Sequence, residues 1–157
     1  MDERDFRHAL GRFATGITIV TTVDEGNVHG MTANAFLSVS LNPPLVLVSI
    51  DHKTRMHHIL PKTGRYGISI LREDQESISR HFAGRPQNEE PAFFWKEELP
   101  FVMDSIAQLA CKVVDMHPAG DHTLYIGEVK WLSYEERGNP LLFFAGKYGK
   151  IDQGEGR

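Results

Sequence analysis

The run Gly30-Met31-Thr32-Ala33-Asn34-Ala35-Phe36-Leu37-Ser38-Val39-Ser40-Leu41-Asn42-Pro43-Pro44 is unusually rich in small side chains for a strand. Small side chains let a flat ring approach the backbone, so that peptide N–H and C=O groups can hydrogen-bond its edge. Asn34, Ser38 and Ser40 add polar handles of the kind an isoalloxazine edge would use. The same alternation of small polar and apolar residues also describes an ordinary half-exposed strand, and composition does not choose between the two. Ser49, Lys53 and Thr54 come next along the chain. A lysine beside a serine hydroxyl and a helix start at Thr54 would give a phosphate dianion positive charge and free N–H donors, with Arg55 next in line. The competing reading of Lys53 is a solvated turn residue in Asp51-His52-Lys53.

Asp121-His122 is the other pair with mechanistic content. Gly120 frees the backbone for a turn and places His122 at the start of a strand. There it faces a ligand or is a turn histidine satisfied by Asp121. The remaining histidines do not read as a metal site. His57 and His58 are adjacent and would point apart on a helix, and neither H-x-x-x-H nor H-E-x-x-H occurs. Cys111, the single cysteine, leaves no thiolate cluster and no internal disulfide. Its place in an alternating strand suits a small buried hydrophobe.

The elements that must position these residues are mostly strands. Phe6, Leu10 and Phe13 recur at helical spacing before Gly16, which predicts a short helix capping one end of a sheet. Residues 17–23 and 28–31 flank the turn-forming Asp24-Glu25-Gly26-Asn27 and predict a hairpin. Residues 35–41 and 45–50 predict two more strands, the second buried on both faces. Thr54 should cap a helix over residues 54–60 that Pro61 stops. A strand over residues 66–71 and a helix over residues 74–82 come after it. Residues 85–100, with three prolines and no periodicity, read as a long loop able to act as a lid. Strands over residues 106–116, 122–134 and 140–144 complete the chain.

Seven or eight strands joined by tight turns, with two or three short helices, predict a mainly β antiparallel barrel. No G-x-G-x-x-G and no G-x-x-x-x-G-K-[ST] is present, which disfavours a doubly wound nucleotide fold. At 157 residues the expectation is one domain spanning 1–157. A net charge of -4 argues against nucleic acid. The apolar runs fall short of the roughly 20 residues that span a bilayer, so no membrane partner is expected. The charged start MDERDFRHAL does not resemble a secretory signal, and a cytoplasmic location is expected.

Three stretches in order, Gly11-Arg12-Phe13-Ala14-Thr15-Gly16, GMTANAFLSVSLNPPLVLVS from Gly30, and Gly120-Asp121-His122-Thr123-Leu124-Tyr125-Ile126-Gly127-Glu128-Val129, are similar to the flavin reductase family. The resemblance runs from Phe6 to about Tyr148. It implies a Greek-key split β-barrel, a homodimer, and hydride transfer from NADH or NADPH to FMN or FAD. Reduced flavin would then pass to a flavin-dependent monooxygenase component. It also implies that Met31, Thr32, Ala33, Asn34, Ala35, Ser38, Val39 and Ser40 line the flavin ring and ribityl chain. Ser49, Lys53 and Thr54 match the phosphate end, and Phe82, Ala83 and Arg85 a segment closing over the flavin. The competing reading of Phe82 is a core anchor. His122 matches the nicotinamide side, where it would position the dinucleotide, and Tyr148 is able to stack on a ring. A non-catalytic FMN-binding barrel serving as carrier, sensor or docking subunit is the alternative. A pyridoxamine-phosphate-oxidase-like enzyme ranks last, because the basic residues for a second phosphate are missing.

Overall fold

The computed structural model describes residues 1–152, and its strand pairs are all antiparallel. Helix α1 (Glu3–Leu10) starts at Asp2, whose carboxylate accepts the Arg4 N–H at 2.9 Å. Strand β1 (Thr15–Gly16) is followed by β2 (Thr18–Asp24) and β3 (Asn27–Ala33), the expected hairpin. Its turn places Glu25 and Gly26 at φ 50° and 81°, the pair of positive φ values that matches the twist of two antiparallel strands. Next come β4 (Phe36–Leu41) and β5 (Pro44–Asp51), joined at Asn42–Pro43 by a cis peptide bond.

Helix α2 (Arg55–Thr63) has Thr54 as its cap, with the His57 N–H donating to Thr54 Oγ1 at 3.2 Å. Pro61 does not stop it. The helix runs on to Gly64, which closes it at φ 70°. Pro61 lacks the N–H that would reach the His57 carbonyl one turn back, and the Tyr125 hydroxyl donates to that carbonyl instead at 3.2 Å. Strand β6 (Arg65–Ile70) and helix α3 (Glu76–His81) lie where they were expected.

Residues 85–100 are not one long loop. Their second half forms β7 (Phe93–Lys96), which pairs with β8 (Leu99–Val102) around a turn with Glu97 and Glu98 at φ 52° and 62°. Leu99, Phe101 and Val102 are buried, so this hairpin is anchored in the core and is no free lid. The chain then enters β9 (Ala107–Ala119), β10 (His122–Tyr134), β11 (Leu142–Phe144) and β12 (Lys147–Gly149).

Seven strands form one sheet in the order β3-β2-β6-β9-β10-β5-β4. Laid flat, its two outer strands would stand about 29 Å apart at a spacing of about 4.8 Å per strand. Yet β3 and β4 are those outer strands, and only Asn34 and Ala35 join them, a reach of at most about 11 Å. The sheet therefore curls enough to bring the end of β3 within that reach of the start of β4. Val20 of β2, Val48 and Ile50 of β5, Tyr66 of β6 and Tyr125 of β10 share one buried cluster inside the curl. Met56 and Leu60 of α2 close it.

Strand β5 is not buried on both faces. Val46, Val48 and Ile50 point into the cluster, while Leu45, Leu47 and Ser49 are only half-buried on the other face. That outer face is left open to a ligand. Cys111 is buried, and burial pushes its thiol up to about 12, as suits a core side chain. Among the described residues no helix is long and apolar enough to cross a membrane.

Candidate functional site

The outer face of β5 and its neighbours form the floor of an open groove of about 1200 Å³. Asn34, Ala35, Phe36 and Leu37 lie along one side of the floor, with Leu47 and Ser49 of β5 and Leu124 of β10 beside them. The pairings Phe36 with Val48 and Leu124 with Ser49 hold these residues level with one another. One wall is α1 and the segment after it, from Arg7 to Thr15. The other is the β11–β12 hairpin through Phe143, Ala145 and Gly146. The Ala145 N–H donates to the Gly11 carbonyl at 2.8 Å and ties the walls together. At about 1200 Å³ the groove exceeds the usual 300–1,000 Å³ of a single small-molecule site.

The short link at the base of this groove offers donors. The Asn34 carbonyl accepts from the Phe36 N–H and the Ala35 carbonyl from the Ser49 N–H, both at 3.0 Å. The N–H groups of Asn34 and Ala35 have no partner among the described residues, and both residues are exposed. Two unpaired amides beside a methyl-sized side chain suit the acceptor-rich edge of an isoalloxazine. In the wall, the Thr15 hydroxyl oxygen is buried with no hydrogen-bond partner, which a bound polar ligand would relieve. The residues present therefore fit a flavin.

Other expected site residues lie elsewhere. The Thr32 N–H donates to the Phe82 carbonyl at 3.2 Å and its hydroxyl to the Ser79 carbonyl at 2.6 Å, so both of its donors are used by α3 and the residue after it. Ala33 turns its methyl into the core, and its carbonyl accepts from the Thr18 hydroxyl. Ser38 and Ser40 sit on the outer strand β4 on either side of a bulge at exposed Val39. Met31, Thr54 and Arg55 line a second, smaller pocket of about 290 Å³ with Gly30 and His29. Lys53 is exposed next to it, its N–H donating to the Asp51 carboxylate at 2.8 Å.

Phe82 packs against the cluster of Ile17, Ile19, Leu71, Val102 and Leu141. Its ring also lies where a side chain on Gly30 would be. Ala83 and Arg85 lie beyond α3, both exposed. Tyr148 shares a 2.7 Å hydrogen bond with the buried Ser79 hydroxyl, and the Arg80 guanidinium stands 5.0 Å over its ring. That ring is therefore occupied on one face. His122 Nδ1 is 2.7 Å from Asp121 Oδ1, and this hydrogen bond holds the Asp121 carboxyl below the usual carboxylate range.

The groove walls are largely invisible in the linear chain. Helix α1 does not cap the sheet; it buries none of its own residues and stands as a wall. Three of the histidines come together. The His52 and His57 rings are 4.5 Å apart and His57 and His58 5.3 Å, with His57 Nδ1 2.9 Å from the Tyr125 hydroxyl. Burial first, then His52 and His58, lower the His57 pKa. Among the described residues no group of three His, Cys, Asp or Glu is placed to hold a metal ion.

Comparison with known proteins adds to this geometry. The family described as flavin reductase like domain matches residues 10–152. An NADH-dependent flavin reductase of Rhodococcus sp is 52% identical over 150 residues, covering 93% of this chain and 85% of that protein. The reductase component of 4-hydroxyphenylacetate 3-monooxygenase from Thermus thermophilus is 38% identical, covering 93% and 95%. Among solved structures, flavin reductase PheA2 in its native state superposes with a TM-score of 0.94 at 49% identity, covering 98% of this chain and all of that one.

Proposed function

The chain belongs to the flavin reductase family, and from that premise we propose that it transfers hydride from NADH to FMN or FAD. The observation that carries this reading is the groove of about 1200 Å³ with two unpaired amides at Asn34 and Ala35. A relative that is the reductase component of a monooxygenase supports delivery of the reduced flavin to a partner oxygenase. NADH is preferred over NADPH because the Rhodococcus relative is named for it. The same names weigh against the non-catalytic carrier.

A flavin held here would supply the hydride acceptor. The chain supplies position and shelter. The Asn34 and Ala35 amides hold the ring edge against a floor of Leu47 and Leu124. Ser38, Val39 and Ser40 run beside the ribityl chain along β4, and Met31, Thr32 and Ala33 fix the approach of that segment. Thr32 does so through its bonds to Ser79 and Phe82, and Ala33 through its core methyl. Ser49, Lys53 and Thr54 take the phosphate, helped by the free N–H groups and positive end of the nine-residue α2 and by Arg55. Phe82, Ala83 and Arg85 bound the other side of β3. Tyr148 acts through Ser79 on α3 rather than by stacking. His122, held by Asp121, would position the nicotinamide end, and orientation of the donor against the acceptor would provide the rate enhancement.

The curled sheet is a Greek-key split β-barrel in one domain, located in the cytoplasm; of the expected span 1–157, residues 153–157 lie outside the described residues. The protein is a homodimer. Phe6 is 51% exposed and Leu41 94%, apolar side chains that a second copy would cover. Purified protein given NADH should consume it only when FMN or FAD is added. Flavin binding without NADH consumption would overturn the reading and select the carrier.

A further inference from the structure

The groove wall carries a cation that the flavin contacts leave unused. Seventeen residues line the groove, among them Arg7, His8 and Arg12, with no aspartate or glutamate, in a chain of net charge -4. Arg7 is paired with Glu3 at 2.7 Å. Arg12 has no side-chain hydrogen bond and no carboxylate partner among the described residues. Its guanidinium is instead held over the Phe144 ring, 4.7 Å from the centroid. That contact steadies the group and leaves the five N–H donors on its edge free, the geometry that binds phosphate oxygens in pairs. Three residues on, the partnerless Thr15 hydroxyl sits in the same wall. The other cations, Lys53 and Arg55, lie by the smaller pocket of Thr54 and Met31.

We propose that Arg12, preset by Phe144, binds the pyrophosphate of the nicotinamide dinucleotide in the large groove, while the flavin phosphate is held separately at Lys53 and Thr54. This rests on the reductase reading and extends it to donor specificity. A donor without phosphates gains nothing from Arg12, so the residue selects a dinucleotide over a bare dihydronicotinamide.

The test compares wild type, Arg12→Gln, Arg12→Lys and Phe144→Ala with two hydride donors, NADH and the phosphate-free 1-benzyl-1,4-dihydronicotinamide, at saturating FMN. Loss of a charge-assisted pair should raise the KM for NADH about 10- to 100-fold in Arg12→Gln, with kcat within about twofold. Arg12→Lys should recover part of this and Phe144→Ala should show a smaller rise. The phosphate-free donor should change by less than about twofold, and FMN affinity by fluorescence quenching should not follow the substitution. Equal losses with both donors, or a loss that tracks FMN or FAD affinity, would overturn the assignment. Calorimetric binding of ADP-ribose, which requires no turnover, reads Arg12 separately from the reductase reading. Weaker binding in Arg12→Gln supports the assignment even if no flavin is reduced, and unchanged binding overturns it.

Discussion

Gly30 is where the floor segment is locked to its neighbours, and replacing it with alanine tests that lock. A Cβ there would lie 2.6 and 2.8 Å from two Phe82 ring carbons, about 1 Å inside the usual 3.5–4.0 Å contact. The ring cannot swing away freely, because it is packed against the Ile17 and Leu71 cluster and 6.2 Å from Phe93. The Phe82 carbonyl also holds the Thr32 N–H. Overpacking of this kind costs about 1–3 kcal/mol. With Phe82→Ala already present the clash is gone, and Gly30→Ala should instead stabilise by about 0.5–1 kcal/mol through the better strand former. The sign reverses, and the coupling in a double-mutant cycle is about 1.5–4 kcal/mol. Urea unfolding of the four proteins measures it. Flavin affinity should weaken in Gly30→Ala alone, since Asn34 and Ala35 continue directly from the same strand. An equal cost of Gly30→Ala in both backgrounds would show that the Phe82 ring is not the obstacle.

Three further outcomes are expected. Tyr125→Phe removes the donor that serves the His57 carbonyl beneath Pro61, and should cost about 1–3 kcal/mol by urea unfolding; adding Pro61→Ala, which restores an N–H, should recover part of it. The folded-state pKa of His57 is lowered below the ordinary 6.5, so the unfolded chain takes up its proton first. Stability should therefore be full above pH 6.5 and fall as pH drops from 6.5 toward the folded-state value. His57→Asn should flatten that part of a Tm-against-pH curve, and an unchanged slope would count against the cause. Cys111, buried with its thiol pushed up to about 12, should resist a maleimide at pH 8 in the native protein and react on unfolding, as mass spectrometry would record.

The strands from β2 to β5 were legible because they are rich in β-branched and apolar residues and because Asp24-Glu25-Gly26-Asn27 and Asn42-Pro43 announce turns. The β7–β8 hairpin was not, since its turn uses Glu97 and Glu98 at positive φ, where glycine or asparagine would have been the signal. Pro61 misled for a similar reason: its missing bond is repaired by Tyr125, a residue far along the chain. In the site, the small-residue run marked the floor, and Thr54 marked the helix start. The walls depend on folding alone. Arg12 meets Phe144, and His52 meets His57, through placements that no local spacing encodes. Ala33 and Thr32 belonged to a run suited to a ring, yet the strand's alternation sends one side chain inward, while Ser79 and Phe82 take the donors of the other.

Hydride reaching flavin on this protein is the step at the centre of the proposed function. Mixing the FMN-loaded or FAD-loaded protein with NADH in the absence of oxygen should bleach the yellow flavin band at a rate that saturates with NADH and slows when the transferred hydrogen is deuterium. Flavin that binds but stays oxidised under excess NADH would contradict it.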